Sequence, residues 1–175
     1  MTEADRPLGL QLLAEYLAAA NKIARRLQWS QERVARLMPL VATGIASLSD
    51  EDEERLDAFL LRFNSLTALV QDHITRALLR AEEEDIKDRS KKDQRLLMEK
   101  LGALHPRLAF GTLAELRNRI AHHYPDDAGR QAEILNEVHG RSGDLIEGYD
   151  SILAYADEKF FARAVGLKPV GPGPR

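Results

Sequence analysis

Apolar side chains recur at intervals of three and four residues along almost the whole chain, and this period constrains the fold more than any other feature of the sequence. It is the period of an α-helix with one buried face, and no segment alternates apolar and polar residues as a half-exposed strand would. The sequence therefore predicts an all-α fold, an up-and-down helical bundle with additional short helices. The longest predicted helix begins at Ser49 or Asp50, and eight residues form its apolar face: Leu56, Phe59, Leu60, Phe63, Leu66, Leu69, Val70 and Ile74.

Capping residues and prolines predict the helix boundaries in the first half of the chain. We predict a first helix over about residues 8–27 and a second helix that is capped by Ser30, interrupted by Pro39 and ended near Gly44. The stretch 81–94 is dominated by charge and has no apolar period, which is typical of an exposed helix end or a mobile connection. A short helix is predicted over residues 96–101.

The second half is predicted to hold three further helices and a tail. Thr112 and Glu115 have the spacing of a capping box, which predicts a helix that starts there and ends near Pro125. Asp126 and Asp127 are expected to cap a helix over residues 128–138, and a last helix is predicted over residues 142–165. The tail holds three prolines and three glycines, so we predict one domain over residues 1–165 and a disordered tail over residues 166–175.

Composition excludes several classes of protein. The 175 residues contain no cysteine, which excludes disulfides, cysteine nucleophiles and thiolate-bound metals. Glu3, Asp5 and Arg6 do not fit a secretion signal, and no stretch has the roughly 18 to 20 uninterrupted apolar residues of a membrane helix. We therefore expect a cytoplasmic protein without membrane contact. The formal net charge of -3 disfavours broad attraction to nucleic acid but allows a local basic site.

One short run in the second half of the chain carries residues suited to chemistry. It reads Arg117-Asn118-Arg119-Ile120-Ala121-His122-His123-Tyr124. At about 100° per residue, Leu113, Leu116 and Ile120 share one side of the helix, which is the side expected to face the core. The opposite half carries a polar set, namely Arg117, Asn118, His122 and Tyr124. The helix is therefore expected to pack through its apolar residues and to present the polar set to a cleft.

An arginine and a histidine in this run suit the cleavage of an RNA phosphodiester by its own 2′-hydroxyl. A histidine whose pKa is near neutrality can exchange the proton, and a guanidinium can stabilise charge on the phosphate oxygens, so no metal is required. Asn118 lies one helical turn before His122 and is placed to orient the imidazole. Arg117 and His122 are about 140° apart on the helix, so one helix does not bring them together. A second copy of the motif would complete the site, which predicts a homodimer.

The second histidine leaves alternatives open. His123 lies on the side of Leu116, so it is expected to pack or to support His122, although it is also placed to share the proton transfer. Adjacent histidines on a helix diverge and lack the i, i+4 spacing of a metal-binding pair, so we expect no metal site. Single aromatic residues elsewhere are expected to be core or interface anchors, and these are Tyr16, Trp29, Tyr149 and Tyr155.

The run Arg117-x-x-x-x-His122-x-Tyr124 resembles the Arg-x-x-x-x-His-x-Tyr motif of HEPN toxins of the HepT type. The preceding long helix, with Arg62-Phe63 in its apolar face, is similar to the core helix of that family. The resemblance implies a dimeric HEPN-like bundle in which two motifs meet in a cleft, and a metal-independent endoribonuclease toxin that uses no cofactor.

The resemblance also implies roles for single residues and a partner. Arg117 and His122 would be catalytic, Asn118 and His123 supporting, and Tyr124 the residue that a nucleotidyltransferase antitoxin modifies by adenylylation. Two other functions remain open. One is a noncatalytic helical module that holds nucleotide or docks a nucleotidyltransferase, and the other is a helical protein whose function lies in assembly.

Overall fold

The computed structural model describes residues 5–121, 127–162 and 165–171. Every regular element within these residues is a helix, which confirms the predicted all-α fold. The described residues form seven α-helices, two 3₁₀ turns and one π-helical segment, in the order α1 (Asp5–Val34), 3₁₀ turn (Ala35–Leu37), α2 (Ala42–Ile45), α3 (Asp50–Ala68), π segment (Leu69–Ile74), α4 (Thr75–Ala81), α5 (Lys91–Lys100), 3₁₀ turn (Pro106–Leu108), α6 (Phe110–Ala121) and α7 (Ala128–Phe160).

Three long helices, α1, α3 and α7, pack on one another and enclose the core. Leu17, Phe59, Phe63 and Tyr149 are fully buried between them. The Tyr149 hydroxyl donates a hydrogen bond of 2.9 Å to the carbonyl of Leu17, so α7 is joined to α1 in the middle of the core. The π segment and α4 continue α3 along α1, and α6 lies against α3 and α7.

The first helix is longer than predicted, and the predicted cap at Ser30 is wrong. The buried face of α1 continues through Leu27, Ser30 and Val34, so burial carries the helix past the point where a polar cap was expected. The Ser30 side chain bonds to Arg62 of α3 instead of capping a helix. The predicted interruption at Pro39 is confirmed, because the chain between the first 3₁₀ turn and the short helix α2 is not helical.

The predicted start of the central helix is confirmed at Ser49. Its hydroxyl accepts a hydrogen bond of 3.3 Å from the backbone N–H of Asp52, and acidic residues occupy the first turn. The charged stretch after α4 is partly a connection and partly the start of α5. That helix begins at Lys91, earlier than predicted, because Ser90 and Asp93 form a capping box there.

The capping box predicted at Thr112 is wrong. Helix α6 begins at Phe110, directly after Ala109, whose left-handed backbone with φ of 46° ends the preceding 3₁₀ turn. The Thr112 hydroxyl donates a hydrogen bond of 2.8 Å to the carbonyl of Ala109 and therefore lies inside the first turn. The side chain of Phe110 is buried, so packing sets the start of the helix.

The two helices predicted after Pro125 are one helix, α7. Its buried face runs without interruption through Val138, Ser142 and Leu145, which outweighs the glycines between them. Asp127 accepts a hydrogen bond of 3.0 Å from the N–H of Arg130, so its predicted capping role is confirmed. Asp126 lies outside the described residues.

Residues 165–171 form a segment that we call the C-terminal strap. The disordered tail predicted over residues 166–175 is not found over residues 166–171. Side chains of Asn21 and Arg25 on α1 each donate a hydrogen bond of 3.0 Å to the carbonyl of Lys168. The Asp150 carboxylate on α7 accepts hydrogen bonds of 2.9 Å from the N–H groups of Val170 and Gly171. Helix side chains thus satisfy the backbone of the strap, which ties α1 to α7.

Candidate functional site

Helix α6 presents the first part of the motif at the surface. Leu113 and Leu116 are buried, Ile120 is partly buried, and Arg117 is one-third exposed beside the exposed Asn118. The predicted core side and polar side of the helix are confirmed for these residues. Helix α6 is described as far as Ala121. His122, His123 and Tyr124 follow directly and lie outside the described residues, so their positions and roles stay predictions.

Arg117 lies against a carboxylate that two other elements share. Its Nη1 atom is 3.6 Å from Oδ2 of Asp72 in the π segment. The Oδ1 atom of Asp72 accepts a hydrogen bond of 2.5 Å from Nζ of Lys91 at the start of α5. An ion pair at this exposure contributes little to stability, because water screens it. The contact therefore matters more for the orientation of the guanidinium than for the stability of the fold.

The π segment places Asp72 and the neighbouring His73 at the surface. The Thr75 hydroxyl donates a hydrogen bond of 2.9 Å to the carbonyl of Val70, five residues earlier, and the Thr75 N–H points to the same carbonyl. The turn therefore holds one residue more than an α-helical turn would. Val70 and Ile74 stay buried on either side of it. Single π turns inside α-helices are frequent at functional sites.

Sequence reasoning missed Asp72, His73 and Lys91, although one signal for the π turn was present. The segments α3, π and α4 form one continuous helix, and four of its buried residues are spaced four residues apart: Leu66, Val70, Ile74 and Leu78. Each such step overshoots a full α-helical turn by about 40°, so a regular helix would rotate the last of them away from the core. The extra residue of the π turn compensates for this rotation, so Ile74 and Leu78 stay on the buried side of the helix.

A surface cavity of about 240 Å³ is lined in part by Asp72, and we call it the Tyr16 pocket. The residues that line it include Leu12, Tyr16, Asp72, His73, Arg76 and Arg80. The rings of Tyr16 and His73 lie in contact, with centroids 5.1 Å apart and planes tilted by 49°. The pocket thus combines an aromatic wall with two guanidiniums, and it shares Asp72 with Arg117.

Two other surface features lie outside this region, namely a second cavity and an exposed tryptophan. A larger cavity of about 480 Å³ lies between α3 and α7, and its lining includes Leu56, Leu60 and Ile134. Trp29, near the end of α1, is 51% exposed, so it is not a core residue of this chain, and its predicted role as an interface anchor stays a prediction. The guanidiniums of Arg33 and Arg62 lie 4.7 Å and 5.6 Å from the centroid of its ring.

Among the residues that the structure describes, no three histidine, aspartate or glutamate side chains are placed to share a metal ion. None of the helices in the described ranges has the length and apolar character needed to cross a membrane. Comparison of the chain with protein-family models, with curated proteins and with solved structures found no match. A function can therefore be inferred only from the motif residues and from the geometry around Arg117.

Proposed function

We propose that this protein is a cytoplasmic, metal-independent endoribonuclease toxin that acts as a homodimer and cleaves RNA with Arg117 and His122. The main support for this proposal is the position of Arg117. The guanidinium of Arg117 is a partly exposed cation that Asp72 holds at the surface, on the helix that leads directly into His122. A guanidinium that contacts the phosphate and a histidine that moves the proton are the two groups that transfer of a phosphodiester needs in the absence of a metal.

The reaction uses the substrate's own nucleophile. The ribose 2′-oxygen attacks the adjacent phosphorus as a histidine removes its proton, and the bond from phosphorus to the 5′-oxygen breaks. The leaving 5′-oxygen takes up a proton, so the products carry a 2′,3′-cyclic phosphate and a 5′-hydroxyl. Arg117 stabilises the charge on the nonbridging oxygens. Its guanidinium has five N–H donors, so contact with Asp72 leaves others for the phosphate.

The remaining motif residues have supporting roles in this proposal. Asn118 is exposed one turn before His122 and orients its imidazole, and His123 supports the same site. On an ideal helix, Tyr124 would fall on the same side as Arg117. A nucleotidyltransferase antitoxin that adenylylates Tyr124 would bring a phosphate to Arg117, where charge-assisted hydrogen bonds would hold it. The added nucleotide would then block RNA by charge and by bulk.

The test is RNA cleavage by purified protein in the presence of a chelator. We expect His122→Ala and Arg117→Ala each to lower the cleavage rate of total RNA by about a hundredfold or more. The first removes the group that transfers the proton, and the second removes the cation that stabilises charge on the phosphate in the transition state. The Arg117 side chain lies on the polar side of α6, and on an ideal helix position 122 would also fall away from Leu113 and Leu116, so we expect the helical content to stay unchanged. Product ends should carry the cyclic phosphate.

Arg119→Ala is the matched control. Arg119 is an arginine of the same helix, but it forms an ion pair of 2.5 Å with Glu137 of α7. We expect this variant to cleave RNA at the wild-type rate. Wild-type turnover by His122→Ala would exclude the proposed chemistry and favour a noncatalytic module. Loss of wild-type cleavage on addition of the chelator would exclude a metal-independent reaction.

A further inference from the structure

The Tyr16 pocket is continuous with the surroundings of Arg117. Asp72 lines the pocket and also contacts the Arg117 guanidinium, so the two features meet at one side chain. A polymer bound at Arg117 therefore has a cavity beside it, next to the group that contacts its phosphate.

The charge of the pocket suits phosphate groups. Arg76 and Arg80 are exposed one helical turn apart on α4, and within the described residues neither has a carboxylate partner. Side chains at this spacing lie about 5 to 6 Å apart, so both can contact one phosphate or two neighbouring ones. Asp72 is the acid in the described lining, and its charge is already shared by Lys91 and Arg117. The region is therefore locally basic in a chain of net charge -3.

The aromatic wall of the pocket suits a nucleobase. His73 is exposed, and its ring rests on the ring of Tyr16, which is half-buried on α1. This contact with the half-buried Tyr16 restricts the exposed ring of His73, which leaves a flat surface at the edge of the pocket. Aromatic rings on which a base stacks, next to cations that follow the backbone, are the combination by which proteins bind single-stranded nucleic acid.

We propose that the Tyr16 pocket binds the single-stranded RNA next to the phosphodiester at Arg117, with Arg76 and Arg80 on its phosphates and a base on the ring of His73. This inference rests on the proposed function. It adds a binding site outside the motif, on α1, the π segment and α4. The site determines where along the strand the RNA is held relative to the bond that is cleaved.

The test measures binding separately from cleavage. The probe is a fluorescent single-stranded RNA in which every 2′-hydroxyl is methylated, so that it lacks the nucleophile and cannot be cut. We expect Arg76→Ala/Arg80→Ala to weaken binding at least about tenfold. The slope of log affinity against log salt should fall by about 1.4, because each phosphate contact on a single strand contributes about 0.7.

Lys22→Ala/Arg26→Ala is the matched control for charge. These two cations are also exposed and four residues apart, but they lie on α1 outside the pocket. We expect this pair to change the affinity less than twofold. An equal loss in both double variants, or an unchanged salt slope in Arg76→Ala/Arg80→Ala, would overturn the site.

His73 tests the stacking surface, because it is exposed and circular dichroism can show that its variants keep the fold. We expect His73→Ala to weaken binding about tenfold and His73→Phe to retain it, since only the ring is needed. If the wild-type protein binds the probe through the pocket but cleaves no RNA, the proposed endoribonuclease activity is excluded and RNA binding by the pocket is supported. If the wild type cleaves RNA and the pocket variants bind the probe normally, RNA binding by the pocket is excluded and the endoribonuclease activity is supported. Failure of the wild type to bind the probe would overturn the pocket.

Discussion

Asp72 has two opposed effects at the scale of the single residue. Its carboxylate holds the guanidinium of Arg117 and the ammonium of Lys91, and it also places a negative charge beside the proposed site of a phosphate. Through its charge alone, this carboxylate would weaken RNA binding. We infer that Asp72 is a positioning residue, whose value lies in the orientation of Arg117.

Asp72→Asn should separate these two effects. We expect kcat for RNA cleavage to fall about tenfold, because a misplaced guanidinium loses its alignment with the phosphate. We expect the affinity for the methylated RNA to stay the same or to increase, because a negative charge is removed. Single-turnover cleavage and anisotropy measure the two quantities.

The control for this prediction is Asp57→Asn. Asp57 is an exposed acid of α3 that lines the separate apolar cavity, so its removal changes the net charge equally. We expect no change in kcat for that variant. An equal fall in kcat for both variants would show that Asp72 acts through overall charge and not through Arg117.

At the scale of the element, α7 contains glycines in different surroundings. A Cβ atom at Gly140 or Gly143 would have nothing within 4 Å, whereas at Gly148 it would lie 3.3 Å from the ring of Phe110 and 3.4 Å from Leu104. Glycine inside a helix costs roughly 0.5 to 1 kcal/mol relative to alanine when no contact requires it. At Gly148, therefore, α7 packs closely on Phe110 of α6, and a side chain there would press on the Phe110 ring.

Alanine substitutions should have opposite effects at these positions. We expect Gly140→Ala and Gly143→Ala each to raise the free energy of unfolding by about 0.5 to 1 kcal/mol. Gly148→Ala should lower it by about 1 kcal/mol or more, because the methyl group overpacks the core at Phe110. Urea denaturation followed by circular dichroism measures all three. A stable Gly148→Ala variant would mean that α6 can move away from α7 at little cost.

The same glycines show where sequence reasoning succeeded and where it failed. The helical period predicted the all-α fold and the buried face of α3, because burial of apolar surface is the main force that selects helices here. Predicted boundaries failed at Ser30 and Gly140, where a local cap or breaker signal was outweighed by a buried face that continues on both sides.

Only the part of the site that lies on a single helix, α6, could be predicted from the sequence. The exposure of Arg117 and Asn118 followed from the wheel of α6, because both faces of the helix are set by its own period. The contact with Asp72 and Lys91 joins three elements whose relative positions no local pattern specifies. Its placement also depends on the extra residue of the π turn, which shifts the direction of every later side chain in that helix.

At the scale of the whole molecule, the proposed chemistry requires two copies of the chain. Arg117 and His122 point about 140° apart on one ideal helix, so a two-fold axis between copies is the simplest way to bring an arginine to a histidine. Light scattering should give twice the mass of 19.7 kDa of one chain. Full activity from a monomer at micromolar concentration would exclude the shared site.

Mixing two inactive variants tests whether the site is shared. In a mixed dimer of Arg117→Ala and His122→Ala, one of the two sites pairs an intact Arg117 with an intact His122 from the other copy. We expect an equal mixture to recover about a quarter of wild-type activity, because half of the dimers are mixed and each has one good site. Activity confined to a site within one chain would give no recovery.

The C-terminal strap has a consequence for the order in which a ribosome delivers this protein. Asn21 bonds to the carbonyl of Lys168, which is made 147 residues later. At about 5 to 20 residues per second, that carbonyl emerges roughly 7 to 30 seconds after its partner. During this interval α1 can pair with α3, but its contacts with α7 and the strap are still missing. Helix α1 is therefore made early but completed late, and the bundle is closed only after residues 165–171 have emerged from the ribosome.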